Sequence, residues 1–298
     1  MTEPRWAGVV VNYEGGAHLL ACVRSLLDDT SAGTPPEVVV VDHGSADGSV
    51  DALTHALPDV AILRAANCGY AAGANRGIAA TAAAVVAVCN PDVTVERGTA
   101  AALLARFDAE SGLGAVGPMV RNPDGSPYHS ARVVPGMVDA VGHGVLGLLR
   151  PTNRFTRRYR ELDVDPARAR DADWVSGSAV WLRRTAVESV GGWDEAYFMY
   201  VEDVDLCWRL REQGWRVAYE PAGVVVHVQG ASTARHPYRM ILEHHRSLAR
   251  FASKRWRGWR RLLLVPAAAF LTLRTLLAMA VHALGRAPRE GRTARVSG

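Results

Sequence analysis

A chain of 298 residues that is 49% hydrophobic can bury one large core or two modest ones. Its formal net charge of +4 is mild, which excludes the whole-domain basic footprint of a nucleic-acid binder. Its four cysteines, Cys22, Cys68, Cys89 and Cys207, have no paired spacing, so reduced thiols in a cytosolic compartment are expected rather than a disulfide framework or a zinc site.

The first half alternates short β-branched runs with helical segments, the pattern of a parallel sheet covered by helices. Residues 8–11 (Gly-Val-Val-Val) precede a helix around residues 18–27. This run is too short for a secretory signal, so the catalytic part is expected on the cytoplasmic side. The four valines at 38–41 lead through a turn to a helix over about 47–57. Ile62 and Leu63 lead through a glycine-rich loop to a helix over 72–82, and residues 85–89 end at Asn90-Pro91-Asp92. In such sheets ligands bind beyond the carboxyl ends of the strands, which directs attention to the residues just after each run.

Asp42 ends the second run in the turn Asp42-His43-Gly44-Ser45-Ala46-Asp47-Gly48-Ser49, where it can accept from a nucleobase N–H or a ribose hydroxyl. Asp47 and Ser45 are better placed to cap the following helix. The loop Asn67-Cys68-Gly69-Tyr70-Ala71-Ala72-Gly73-Ala74-Asn75 is glycine-spaced, as a close backbone approach to a ligand requires. Asp92 can hold a divalent metal bridging a diphosphate, and His227, at the end of a later apolar run, is a second candidate ligand.

From about residue 121 to 173 the periodicity weakens, and five arginines between 150 and 160 read as a solvated, charge-coated loop. Regular structure resumes over 174–182, with further strands near 216–219 and 224–227. Between them the aromatic approach Tyr197-Phe198-Met199-Tyr200 leads to Glu202 and Asp203, which open an amphipathic segment carrying Leu206 and Leu210. Acids at a helix start are stabilised there by free backbone N–H groups, and the same position suits a general base. The Trp193-Asp194 turn is expected to floor its pocket.

The C-terminal part begins with arginine interleaved with tryptophan, from Lys254 to Arg261, followed by an apolar run over 262–284. Arginine suits anionic headgroups and indole suits the headgroup level. Arg274 at the middle of the run would cost roughly 2.5–3.5 kcal/mol in a spanning helix, so a helix lying in the interface is expected. The expected division is a domain over 1–250 and a membrane-associating tail over 251–298.

Taken together and in order, these motifs resemble those of the inverting family 2 glycosyltransferases, over about residues 6–250. They comprise the Asp42 turn, the glycine–asparagine loop, Asn90-Pro91-Asp92, the Trp174 to Gly177 motif, Gly191-Gly192-Trp193-Asp194-Glu195, and Glu202-Asp203. Within that family Asn122-Pro123-Asp124-Gly125-Ser126, Ser130-Ala131-Arg132 and the basic tail are similar to actinobacterial rhamnosyltransferases acting on N-acetylglucosaminyl-diphosphoryl-polyprenol. His43 stands where such sequences usually carry asparagine, and Asn90 where many carry a first aspartate.

The resemblance implies an α/β GT-A fold with a mixed, mostly parallel central sheet and C-terminal helices. It implies inverting transfer of a deoxyhexose, rhamnose from dTDP-rhamnose, to a polyprenyl-diphosphate-linked sugar in cell-wall or surface polysaccharide synthesis. Asp203 is the expected base with Glu202 beside it. Tyr13, Asp42, Asn67, Gly73, Asn75 and Asn90 are expected around the nucleotide sugar. Trp174, Ser176, Gly177, Ser178 and Trp193 are expected to line the sugar and acceptor side. Asp92 and His227 would hold Mg2+ or Mn2+. The expected setting is the cytoplasmic face of the plasma membrane, peripheral or monotopic on an anionic surface, with a homodimer as a candidate assembly and no nucleic-acid partner. Mannosyl or galactofuranosyl transfer is the alternative within the fold, and a non-catalytic membrane-bound scaffold is the alternative outside it.

Overall fold

The computed structural model describes residues 4–134, 142–143, 146, 150, 152–228 and 237–283. Four parallel strands form its first half: β1 (Trp6–Asn12), β2 (Glu37–Asp42), β3 (Ala61–Arg64) and β4 (Val85–Cys89). Helices α1 (Ala17–Asp28), α2 (Ser49–Ala56) and α3 (Tyr70–Ala79) connect them. β1 and β4 are buried along their whole length, as strands covered on both faces require.

After β4 the topology changes. β5 (Val93–Val95), α4 (Thr99–Ala109) and β6 (Leu113–Arg121) follow, and a sharp turn at 122–126 leads to β7 (Pro127–Tyr128) and β8 (Ala131–Arg132). Beyond the short helix α5 (Arg154–Arg160) come β9 (Arg170–Asp171), β10 (Trp174–Val175), β11 (Ala179–Arg183) and α6 (Arg184–Ser189). Helix α7 (Glu202–Glu212), β12 (Arg216–His227), α8 (Pro237–Arg255) and α9 (Leu264–Ala283) complete the described chain. The large sheet runs β3-β2-β1-β4-β11-β6-β12-β5, with β7 on β6 and β9 on β12, while β8 and β10 pair separately.

β11 is antiparallel to both β4 and β6, so it joins a parallel nucleotide-type half to a second half. The mixed, mostly parallel sheet expected from the sequence is therefore present. Three elements differ from the sequence reading. Residues 174–182 form two strands in different sheets, with Ser176, Gly177 and Ser178 as the crossing loop. The two strands expected at 216–219 and 224–227 are one, β12, continuous through a register shift between Glu220 and Val224. The region from 121 to 173 is more than a solvated loop, because β7, β8 and α5 pack there and Arg170 pairs with Glu161.

Helix α8 runs through the boundary expected at residue 250. Its Phe251 meets Trp208 of α7 edge-on at 5.8 Å, so its last turns belong to the packing of the catalytic half.

Candidate active site

The strand ends of β1 and β2 build one wall. Asn12 is fully buried and donates from Nδ2 to Asp42 Oδ1 at 2.8 Å and to Ser45 Oγ at 3.0 Å. Asp42 also accepts from Ser45 Oγ at 2.6 Å and from the Gly44 and Ser45 N–H groups, both at 3.2 Å. Its carboxylate is thus the internal brace of the turn. Asp47 accepts from Ser49 Oγ at 2.6 Å, from Ser49 N at 3.1 Å and from Gly16 N at 2.7 Å, and although burial opposes them these bonds, the Ser49 hydroxyl first, hold its carboxyl below the usual range. The Asp47 bond ties the turn to the loop after β1, where Tyr13 lies half-buried.

Three residues expected beside the nucleotide sugar make contacts that shape the surrounding structure. Gly73 lies within α3, and a Cβ there would stand 2.6 Å from Val11 Cγ1 and 2.9 Å from His43 Cε1, so its smallness lets the helix lie close on β1 and on the residue that follows β2. Asn75 donates to Trp193 O and Glu195 Oε1, both at 2.9 Å, and accepts from Trp193 N, which fixes the Gly192-Trp193-Asp194-Glu195 turn. Asn67 accepts from Gly69 N at 3.2 Å and shapes its own loop. Gly69 has φ +101°, and a Cβ there would stand 2.4 Å from Phe198 O, so only glycine passes beneath that carbonyl.

The ends of β4 and β12 bring Asn90, Asp92 and His227 together. His227 Nε2 lies 3.1 Å from Asp92 Oδ1 and 3.4 Å from Asn90 Nδ2. Burial opposes the charge on Asp92, yet the His227 contact prevails and holds the carboxyl below its ordinary range. A carboxylate oxygen and an imidazole nitrogen at this spacing fit one side of a divalent cation. Among the described residues no group of three His, Cys, Asp or Glu converges, so water or a bound anion such as a diphosphate would complete the shell of such a cation.

Between these walls sit the acids. Tyr200 and Val201 both adopt left-handed backbone, φ +68° and +69°, immediately before α7. This conformation is costly for a β-branched residue, by about 1–3 kcal/mol, and it turns the chain sharply into the helix carrying Glu202 and Asp203. Asp203 Oδ2 accepts from Gly177 N at 2.9 Å and Oδ1 from Val204 N at 2.8 Å. Glu202 is buried, and its Oε2 has no hydrogen-bond partner.

Burial, then the neighbouring Asp203 charge, push the Glu202 carboxyl well above its ordinary range. Burial raises Asp203 as well, opposed by the two N–H donors and by the Arg132 charge. The two backbone donors favour the charged form of Asp203, whereas Glu202 Oε2 has no such donor, so the pair is biased toward ionisation at Asp203.

Gly177 admits Asp203 because a side chain there would meet Asp203 Cβ at 3.1 Å. Tyr70 donates to Gly177 O at 2.6 Å, and Trp193 packs edge-on to Tyr70 at 5.9 Å. Trp193, expected as pocket floor, is buried in the core and backs the Gly177 loop from behind. Ser176 and Ser178 share a hydrogen bond at 3.1 Å, and Trp174 is buried beneath the Arg132 guanidinium, 5.1 Å from its ring.

Helix α8 clasps the approach to the acids. Lys254, the lone lysine of the sequence, donates to Asp194 Oδ2 at 2.9 Å and to Asp205, which is fully buried and also accepts from Arg209 Nε at 2.7 Å. Ser247 donates to Met199 O at 3.0 Å, and His244 meets Tyr200 edge-on at 5.4 Å. Lys254 was expected to begin the membrane-facing cluster. It turns inward because the buried Asp205 and the half-buried Asp194 await it. Local sequence gave no sign of this, since its partners lie 49 and 60 positions away. Arg132 and Tyr70 also received no role from sequence reasoning, although both stand inside quoted motifs.

The profile described as "Glycosyltransferase like family 2" matches residues 4–247, most of the chain. The chain belongs to the family 2 glycosyltransferases. It is 38% identical over 290 residues to the N-acetylglucosaminyl-diphospho-decaprenol L-rhamnosyltransferase of Mycobacterium tuberculosis (strain CDC 1551 / Oshkosh), covering 93% of this chain and 92% of that one. It is 34% identical over 197 residues to the pre-mycofactocin glycosyltransferase of the same organism, covering 64% and 37%.

Among solved structures, the mannosyltransferase PcManGT from Pyrobaculum calidifontis with GDP-Man and Mn2+ superposes with a TM-score of 0.52 at 18% identity, over 94% of this chain and 76% of that one. GalNAc-T7 with UDP, GalNAc and Mn2+ gives 0.56 at 14% identity, over 76% and 43%. These likenesses identify the fold as GT-A. Membership, together with the acid pair and the Asp92–His227 pair, identifies the family 2 glycosyltransferase as a nucleotide-sugar-dependent enzyme, and the non-catalytic scaffold is not favoured.

Proposed function

We propose that the enzyme transfers L-rhamnose from dTDP-rhamnose, with inversion, to a hydroxyl of an N-acetylglucosaminyl-diphosphoryl polyprenol. The observation that carries this reading is the Asp203 carboxyl, aimed by two backbone donors, in a chain aligned almost end to end with a rhamnosyltransferase. Inverting displacement needs a base at the acceptor hydroxyl, a positioned donor and stabilisation of the leaving diphosphate. Asp203 takes the proton as the hydroxyl oxygen attacks the anomeric carbon. Glu202, holding its own proton, keeps a second negative charge out of the site.

Asp92 and His227, with Asn90 beside them, would hold a divalent cation, Mg2+ or Mn2+. When bound, it would neutralise the charge that grows on the leaving diphosphate. The turn braced by Asp42 faces the nucleoside, with Tyr13 as its neighbour, and Ser176 and Ser178 approach the sugars. Residues 258–280 form a helical stretch whose most apolar 18 residues have a mean hydropathy of 2.0 and are 6% buried, long and apolar enough by length and composition to cross a membrane. The reading assigns this part to the cytoplasmic surface of the plasma membrane, where the lipid acceptor resides. Arg274 supports a helix lying in the interface, because it bonds His245 of α8 at 2.7 Å rather than standing among lipid chains.

A donor screen tests the reading. Purified enzyme and a short-chain N-acetylglucosaminyl-diphosphoryl lipid should release nucleotide fastest with dTDP-rhamnose. Preference for GDP-mannose or UDP-galactofuranose would overturn the rhamnosyl assignment.

A further inference from the structure

Arg132 lies largely inside the protein, stacked against three aromatic rings: its guanidinium carbon is 5.4 Å from the Tyr128 centroid, 5.6 Å from Tyr159 and 5.1 Å from Trp174. It donates to His129 O at 2.8 Å and to Tyr128 Oη at 2.8 Å, both neutral acceptors. Among the described residues no carboxylate bonds to it. The nearby Tyr128 and Tyr159, which also hydrogen-bonds it, and the more distant Asp203 charge favour its cation, but a guanidinium drawn from water gains most from an anion paired to it directly.

The crossing loop sets where an anion would come from. At one end Ser178 O accepts from Asn90 N at 2.8 Å, beside Asp92. At the other end Ser176 N donates to Ser130 O at 2.8 Å, beside Arg132. In the middle Gly177 N holds Asp203. The base therefore sits between an Asp92 side and an Arg132 side. Displacement at the anomeric carbon requires leaving group and nucleophile on opposite sides, with the base next to the nucleophile. If the donor's diphosphate is at Asp92, the acceptor enters from the side of Arg132.

We propose that Arg132 is the recognition residue for the diphosphate of the acceptor, its planar fork held by the rings of Tyr128, Tyr159 and Trp174 to take two phosphate oxygens. The proposal rests on the acceptor assigned above. It deepens that assignment by making the diphosphate, and not only the sugar, the feature that is read. A stacked guanidinium suits this task because its donors are already aligned, whereas a flexible lysine would have to be ordered on binding.

The test is binding by calorimetry, without donor, of a farnesyl diphosphate carrying N-acetylglucosamine and of a neutral alkyl N-acetylglucosaminide. Wild type should bind the diphosphate about 10- to 100-fold more tightly than the neutral glycoside. Arg132→Gln should remove most of that preference. Arg132→Lys, which keeps the charge and the volume, should retain only part of it and covers the case in which the glutamine variant does not fold. Unchanged preference in a folded variant overturns the proposal, as does equal weakening of both ligands. A rise in the Kd for dTDP-rhamnose with acceptor preference intact would assign Arg132 to the donor and also overturn it. Because binding needs no turnover, failure of the rhamnosyl reading would appear in the donor screen and not here.

Discussion

An aspartate at the second position of a helix is ordinarily a dipole-stabilised surface charge. Asp203 differs because both its oxygens are occupied by backbone donors while its neighbour Glu202 has none on Oε2. Asp203→Asn is expected to lower the transfer rate roughly 10²–10⁴-fold with donor affinity nearly intact, the usual loss for a general base. Steady-state kinetics beside donor titration would check it, and a larger loss in Glu202→Gln would move the base to Glu202.

Glu202 makes a second, thermodynamic prediction. Its folded-state pKa is raised, so its contribution to stability is fully present below the unfolded value and is lost as pH rises through the folded one. Glu202→Gln should therefore flatten the decline of Tm with rising pH, with little change at acidic pH. Asp92→Ala should weaken metal-dependent donor binding, and full activity after extensive dialysis in excess EDTA would exclude that role.

Among the elements, the β1 to β4 half was legible because runs of valine between turn residues admit few other readings. The second half was not, for physical reasons that particular residues expose. β10 and β11 read as one run because Ser176-Gly177-Ser178 carries no breaker strong enough to mark a change of sheet. α3 begins at Tyr70, two residues before the expected start, because Tyr70 N bonds the distant Phe198 O at 2.9 Å.

The acid pair was visible as carboxylates opening an amphipathic segment, and the Asp92–His227 pair as residue types at strand ends. The roles of Gly73, Asn75 and Trp193 were not, since each is set by a contact with a residue remote in sequence. Helix α8 is the most consequential of these tertiary effects. Lys254→Met should leave Asp205 buried with Arg209 as its remaining cation and should destabilise the protein by about 2 kcal/mol, below the 3–5 kcal/mol of a fully buried pair because Lys254 is partly exposed. Released tension at Tyr200 and Val201 should lower kcat more than it raises the donor KM. Lys254→Arg should restore part of both, as read by thermal unfolding and kinetics.

For the molecule as a whole, six of the ten exposed large apolar residues among those described lie beyond α8, in the stretch leading into and through α9: Trp259, Leu262, Val265, Leu273, Leu276 and Leu277. Arg257, Arg260 and Arg261 flank the start of that stretch, and each basic residue near an anionic surface contributes about 1 kcal/mol, less in salt. Replacing these three with serine should release the protein from anionic vesicles in flotation and slow transfer to a long-chain acceptor far more than to a short soluble one. Equal slowing on both acceptors would mean that the segment supports folding. Arg274 adds a constraint of a different kind. Its bond to His245 prevents α9 from rolling about its own axis, so Leu273, Leu276 and Leu277 keep a set bearing relative to Asp203. An enzyme resting on that stripe carries its base at one altitude above the lipid headgroups.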